Sequence, residues 1–97
     1  MLDINGIEVE EVLRVAKSHG ATSVRVFGSR ARGDARSDSD LDLLITARPG
    51  TSLLDVIAMQ QDLEDLLGLK VEVVTEPALH PLLRDDILAE AKPLVAA

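Results

Sequence analysis

Acidic residues inside an aliphatic strand signal constrain this chain most: Asp40-Leu41-Asp42-Leu43-Leu44-Ile45. Successive side chains of a strand point to opposite faces. Leu41, Leu43 and Ile45 therefore share one face, and Asp40, Asp42 and Leu44 the other. Asp is depleted in strands, so two of them on one face need a reason. Their bases stand roughly 6–7 Å apart, given a rise of ~3.3 Å per residue. Their tips can converge on one cation, or hold two metals about 3.5–4 Å apart. A later strand signal, Lys70-Val71-Glu72-Val73-Val74-Thr75, carries a third acid, Glu72. If the two strands are neighbours, Glu72 joins the same face. Three like charges repel unless something positive sits among them, and such oxygen ligands suit Mg²⁺. The competing reading is three carboxylates on the solvated face of a half-exposed sheet, pointing at water.

The remaining elements follow from periodicity. Val9, Val12, Leu13 and Ala16 recur at helical spacing and predict a first helix over Ile7 to Ser18, ended by His19-Gly20. Val24 to Phe27 is a short strand signal that stops at Gly28-Ser29. Arg30 to Ser39 is polar, without an apolar period. Pro49-Gly50 breaks the acidic strand, and Ser52, with Asp55 three residues on, predicts a helix start. Leu53, Val56, Ile57, Gln60, Leu63 and Leu67 form the face of that helix, and Gly68 its end. Pro77 and Pro81 bracket a connection to a last helix carrying Leu83, Ile87, Leu88 and Ala91, which Pro93 stops. The order is α-β-β-α-β-α. It predicts an α+β fold, a small mixed sheet backed by helices, in a single domain over 1–97.

Composition narrows the function. Of 97 residues 46% are hydrophobic and nearly all of these aliphatic, so a core can form. The absence of Cys excludes disulfides, a thiolate metal site and a Cys nucleophile. A net charge of −7 makes a poor general binder of nucleic acid, because phosphate contacts supply most of that affinity. Phe27, the sole aromatic, cannot make a base-stacking platform. No apolar run approaches the ~20 residues that span a bilayer. The amino terminus shows neither a basic region nor a small-residue cleavage site. The expectation is a cytoplasmic protein with no direct nucleic-acid or membrane binding.

Against that acidity, four of the 10 basic residues crowd into twelve positions: Arg25, Arg30, Arg32 and Arg36. The cluster surrounds Gly28-Ser29. A glycine lets backbone approach a ligand, and free N–H groups at a turn or short helix starting at Ser29 make an anion site. The Ser29 hydroxyl adds a donor, and Arg30 and Arg32 add guanidinium forks matched to phosphate oxygens. The plainer reading is a surface loop whose arginines pair with Asp34, Asp38 and their neighbours. The order of strand, Gly-Ser, basic loop and acidic strand favours the first. It sets a phosphate cradle beside a divalent-metal site, as nucleotidyl transfer requires.

Gly28-Ser29, ten intervening residues and Asp40-Leu41-Asp42 resemble the Gly-Ser-x10-Asp-x-Asp signature of the DNA polymerase β-like nucleotidyltransferase superfamily. The stretch from Phe27 to Ile45, and Leu79-His80-Pro81-Leu82-Leu83-Arg84, resemble its minimal nucleotidyltransferases, the MNT group. The resemblance covers about Ile7 to Pro93. It implies the polymerase β-like fold, with Ser29 opening a short helix and Gly28 and Ser29 on the nucleotide phosphates. It implies two Mg²⁺ ions held by Asp40, Asp42 and Glu72, where many relatives carry Asp at the third position, and ATP as substrate. It also implies a HEPN-domain toxin as partner in a hetero-oligomer. The MNT protein would be the antitoxin, transferring AMP from ATP to a toxin tyrosine. Two alternatives stand beside this reading: an antitoxin acting by binding alone, and a small-molecule (antibiotic) nucleotidyltransferase. His19 is expected at a helix end, His80 in a turn or cap, and Met59 in the core.

Overall fold

The computed structural model describes residues 7–36 and 38–95. The amino-terminal segment considered above for a leader lies outside the described residues, apart from its continuation at Ile7. Helix α1 spans Val9–Ser18, strand β1 Ala21–Phe27, and a single helical turn, α2, Ser29–Arg32. Strand β2 (Leu41–Ala47), helix α3 (Leu53–Leu67) and strand β3 (Val71–Thr75) follow. A 3-10 turn at Glu76–Ala78, helix α4 (Arg84–Glu90) and a two-residue strand β4 (Lys92–Pro93) complete the order.

The sheet runs β3-β2-β1-β4. The β1–β2 pair is antiparallel and the β2–β3 pair parallel, so the sheet is mixed, as the sequence predicts. Strands β2 and β3 run the same way because α3 crosses between them. The start of α3 is closed by a full capping box. Ser52 Oγ accepts from the Asp55 N–H, and the Asp55 carboxylate accepts from the Ser52 N–H. Gly68 ends α3 in the left-handed conformation.

The alternation in β2 decides which way the sheet faces. Leu41, Leu43 and Ile45 are buried against α1 and α3, with Val12, Val26, Met59, Leu63 and Val71. The opposite face is covered in part by α4, whose Ile87 and Leu88, with Ala91 just after it, pack on Phe27, Leu44 and Leu79. No described helix is long and apolar enough to cross a membrane.

Two boundaries depart from the sequence expectation. β1 begins at Ala21 rather than Val24, because Ala21 and Ser23 extend the pairing with β2 on either side of an irregular step at Thr22. Pro93, expected only to stop the last helix, instead pairs with Arg25, and Lys92 with Val26, as an edge strand. An edge position suits proline, which has no ladder N–H to offer.

Candidate active site

The carboxylate cluster forms where β2 and β3 lie side by side. Asp42 pairs in register with Glu72 across the parallel ladder, and with Phe27 across the antiparallel one. Asp42 and Glu72 thus share the face opposite the main core, one turn of the pleat away from buried Leu44. Asp40 stands just before β2, exposed. The structure therefore sets Asp42 beside Glu72, with Asp40 near enough for its charge to act on Asp42.

Asp42 records the electrostatic strain of that gathering. Its pKa is pushed up to about 6. Partial burial is the largest cause, followed by the charges of Glu72 and Asp40. A hydrogen bond to the Glu72 carboxyl and the charge of Glu90 add to it. All of these neighbours push the same way, toward the protonated form.

The Gly28-Ser29 turn sits directly beside these acids. Gly28 has φ 76°, and α2 starts immediately after it, with its carbonyl accepting from the Ala31 and Arg32 N–H groups. A Cβ at residue 28 would collide with the Asp42 carboxylate. Glycine is required twice here, by the backbone angle and by the close approach. The Gly28 N–H donates to Glu90 Oε1 at 2.7 Å.

The arginines divide. Arg32 is exposed and reaches Glu90 Oε2 at 3.2 Å and Asp34 at 3.4 Å. Arg30 departs from the expectation of a phosphate fork. Its side chain is turned inward, the residue is 2% exposed, and Nε and Nη2 both donate to the Ser39 carbonyl. It tethers the polar loop that delivers Asp40 to the head of β2. Arg25 belongs to the covered face, where it pairs with Glu76 at 2.6 Å. Glu90 is the site residue that sequence analysis passes over. Its only sequence signal is an acid near the end of a helix, and it meets Gly28 across 62 residues of chain.

Cation chemistry can be tested against this donor set. The side chains gathered here are all carboxylates, and partial burial with the charges of Glu72 and Asp40 raises the Asp42 pKa. Both points fit a hard divalent ion such as Mg²⁺. Among the described residues no three His, Cys, Asp or Glu side chains stand close enough to hold a metal ion together.

The model of the nucleotidyltransferase domain family matches residues 9–94. The chain belongs to the nucleotidyltransferase family. A Methanocaldococcus jannaschii protein assigned as a protein adenylyltransferase is 39% identical over 90 residues, covering 93% of this chain and 96% of that one. The protein adenylyltransferase MntA of Thermococcus cleftensis is 36% identical over 88 residues, covering 86% and 89%. A solved minimal nucleotidyltransferase superposes with a TM-score of 0.76 at 52% identity, over 89% of this chain and 88% of that one. The fold also matches a structure of the Shewanella oneidensis HEPN toxin, tri-AMPylated, in complex with its MNT antitoxin. There the TM-score is 0.68 at 15% identity, over 92% of this chain and 70% of that one. The chain is thus a nucleotidyltransferase of the MNT group, with the α+β fold expected from its sequence.

Proposed function

We propose that this nucleotidyltransferase is an antitoxin that moves AMP from ATP to a tyrosine hydroxyl of a HEPN-type toxin. The observation that carries the reading is Asp42 in register with Glu72, beside the Gly28-Ser29 turn. Relatives named as protein adenylyltransferases, and the fold shared with an MNT antitoxin seen beside an AMPylated HEPN toxin, support the donor and the acceptor class.

In the proposed reaction the tyrosine oxygen attacks the α-phosphorus of ATP. A new O–P bond forms, the bond to the bridging oxygen breaks, and diphosphate leaves. The tyrosine proton passes to a carboxylate of the cluster. Glu72 is the best placed for this, being exposed where Asp42 is half-buried. Asp40, Asp42 and Glu72 would hold Mg²⁺, which when bound supplies positive charge against the phosphates. Gly28 and Ser29 orient the phosphates, with Arg32 supplying the exposed positive charge. Arg30 acts at one remove, by fixing the loop ahead of Asp40.

The test is to co-express the partner toxin with wild type and with Asp40→Asn/Asp42→Asn, then weigh the toxin. Wild type should add about 329 Da per AMP, by the general mass of an adenylyl group less the displaced hydrogen. The double variant should add none. A neutralised but unmodified toxin with wild type would replace catalysis with binding alone.

A further inference from the structure

Glu90 lies at the carboxyl end of α4 and touches the two groups that the proposed reading gives to the nucleotide phosphates. One carboxylate oxygen accepts from the Gly28 N–H at 2.7 Å, the other from Arg32 at 3.2 Å. A carboxylate on a backbone N–H and a guanidinium is chemically the same arrangement as a phosphate on those donors. Both Glu90 oxygens face donors rather than joining Asp42 and Glu72 as a further metal ligand. Its charge still bears on Asp42 and helps to raise that group's pKa.

Nothing else in the helix needs this contact. α4 is seated by Ile87 and Leu88, and by Ala91 just after it, on Phe27, Leu44 and Leu79. The Glu90 side chain is 28% exposed, so its terminal carboxylate has a path to water. It can therefore leave the donors while the helix stays in place.

We propose that Glu90 is a built-in anion that occupies the phosphate donors of the Gly28 turn and must be displaced by the incoming nucleotide. The inference rests on the reading that this turn receives the phosphates. It makes Glu90 a positioning residue that weakens nucleotide binding and keeps the turn ordered between turnovers.

Glu90→Gln is the discriminating variant, because it keeps an acceptor for the Gly28 N–H and removes the charge. Calorimetric titration with ATP, in EDTA and again in Mg²⁺, should show about tenfold tighter binding than wild type. That is the loss of one competing charge-assisted bond, about 1.4 kcal/mol. Adenosine, which has no phosphate, should bind both proteins equally. Glu90→Ala should bind ATP at least as tightly as Glu90→Gln. Unchanged or weaker ATP binding in both variants makes Glu90 a structural staple and overturns the inference. Wild type and variants that all ignore ATP in Mg²⁺ overturn the nucleotide reading of the turn as well.

Discussion

Gly28 and Asp42 approach each other so closely that residue 28 has no room for a Cβ. The carboxylate occupies the place where that atom would stand. The end of β1 and the acidic face of β2 are thereby locked into one unit. The backbone at Gly28, φ 76° and ψ −156°, lies in a region that essentially only glycine adopts.

Gly28→Ala should therefore lower stability and displace Asp42 together. Backbone strain of this kind costs about 1–3 kcal/mol, before any shift of the carboxylate. Urea denaturation should show the loss, and nucleotidyl transfer should fall to background. A variant with wild-type midpoint and activity would mean that the turn and the acid are not coupled.

The raised Asp42 pKa gives a stability profile with a definite sign. A carboxyl whose folded pKa lies above its unfolded value binds more protons folded than unfolded. Its contribution favours folding at low pH and is lost as pH rises from the ordinary Asp range through about 6. Asp42 is only half-buried, so screening cuts the effect to about 1–2 kcal/mol. In EDTA, Asp42→Asn should gain about that much over wild type at pH 7.5 and nothing at pH 3.5. Paired urea titrations at the two pH values measure it. An equal difference at both pH values would locate the gain elsewhere than in this charge.

The capping box at α3 is open to a direct test. Ser52→Ala removes the acceptor for the Asp55 N–H, and a lost cap costs about 1 kcal/mol. The same box holds the Asp55 carboxyl below its usual range, chiefly through the Ser52 N–H. NMR titration of Asp55 should show its pKa rise toward the ordinary value in Ser52→Pro, which lacks that N–H. It should stay low if the Ser52 bonds are not its cause.

Local rules made much of this legible in the sequence. Period-2 alternation put Asp40 and Asp42 on one face. The Gly-Ser turn stood directly after a strand, and Ser52 with Asp55 marked a helix start. Each is a relation among residues a few positions apart. Glu90 and Arg30 obey no such relation. Glu90 reaches Gly28 only after α4 folds back over the sheet, and nothing near residue 90 signals that destination. For Arg30, composition reports the charge but not its direction. An arginine beside a phosphate-type turn looks like a ligand until the Ser39 carbonyl is found at its tip. β4 escaped for a different reason: two residues, one of them proline, make no strand pattern alone and exist only because β1 offers an edge.

The contrast between Arg30 and Arg32 separates structure from ligand binding at two neighbouring positions of one helical turn. Arg30→Met leaves the Ser39 carbonyl without its donors. Hydrogen bonds from a charged donor are worth about 1.5–3 kcal/mol, so a loss of that order is expected in urea denaturation. Arg32 is exposed and its ion pairs contribute little to folding. Arg32→Gln should leave the midpoint nearly unchanged yet raise the KM for ATP several-fold, because the phosphates lose a charged donor. Arg30→Met should lower kcat as well, since Asp40 hangs from the loop it tethers. Reversal of the two patterns, with Arg32→Gln unstable and Arg30→Met defective only in ATP affinity, would return Arg30 to the phosphates.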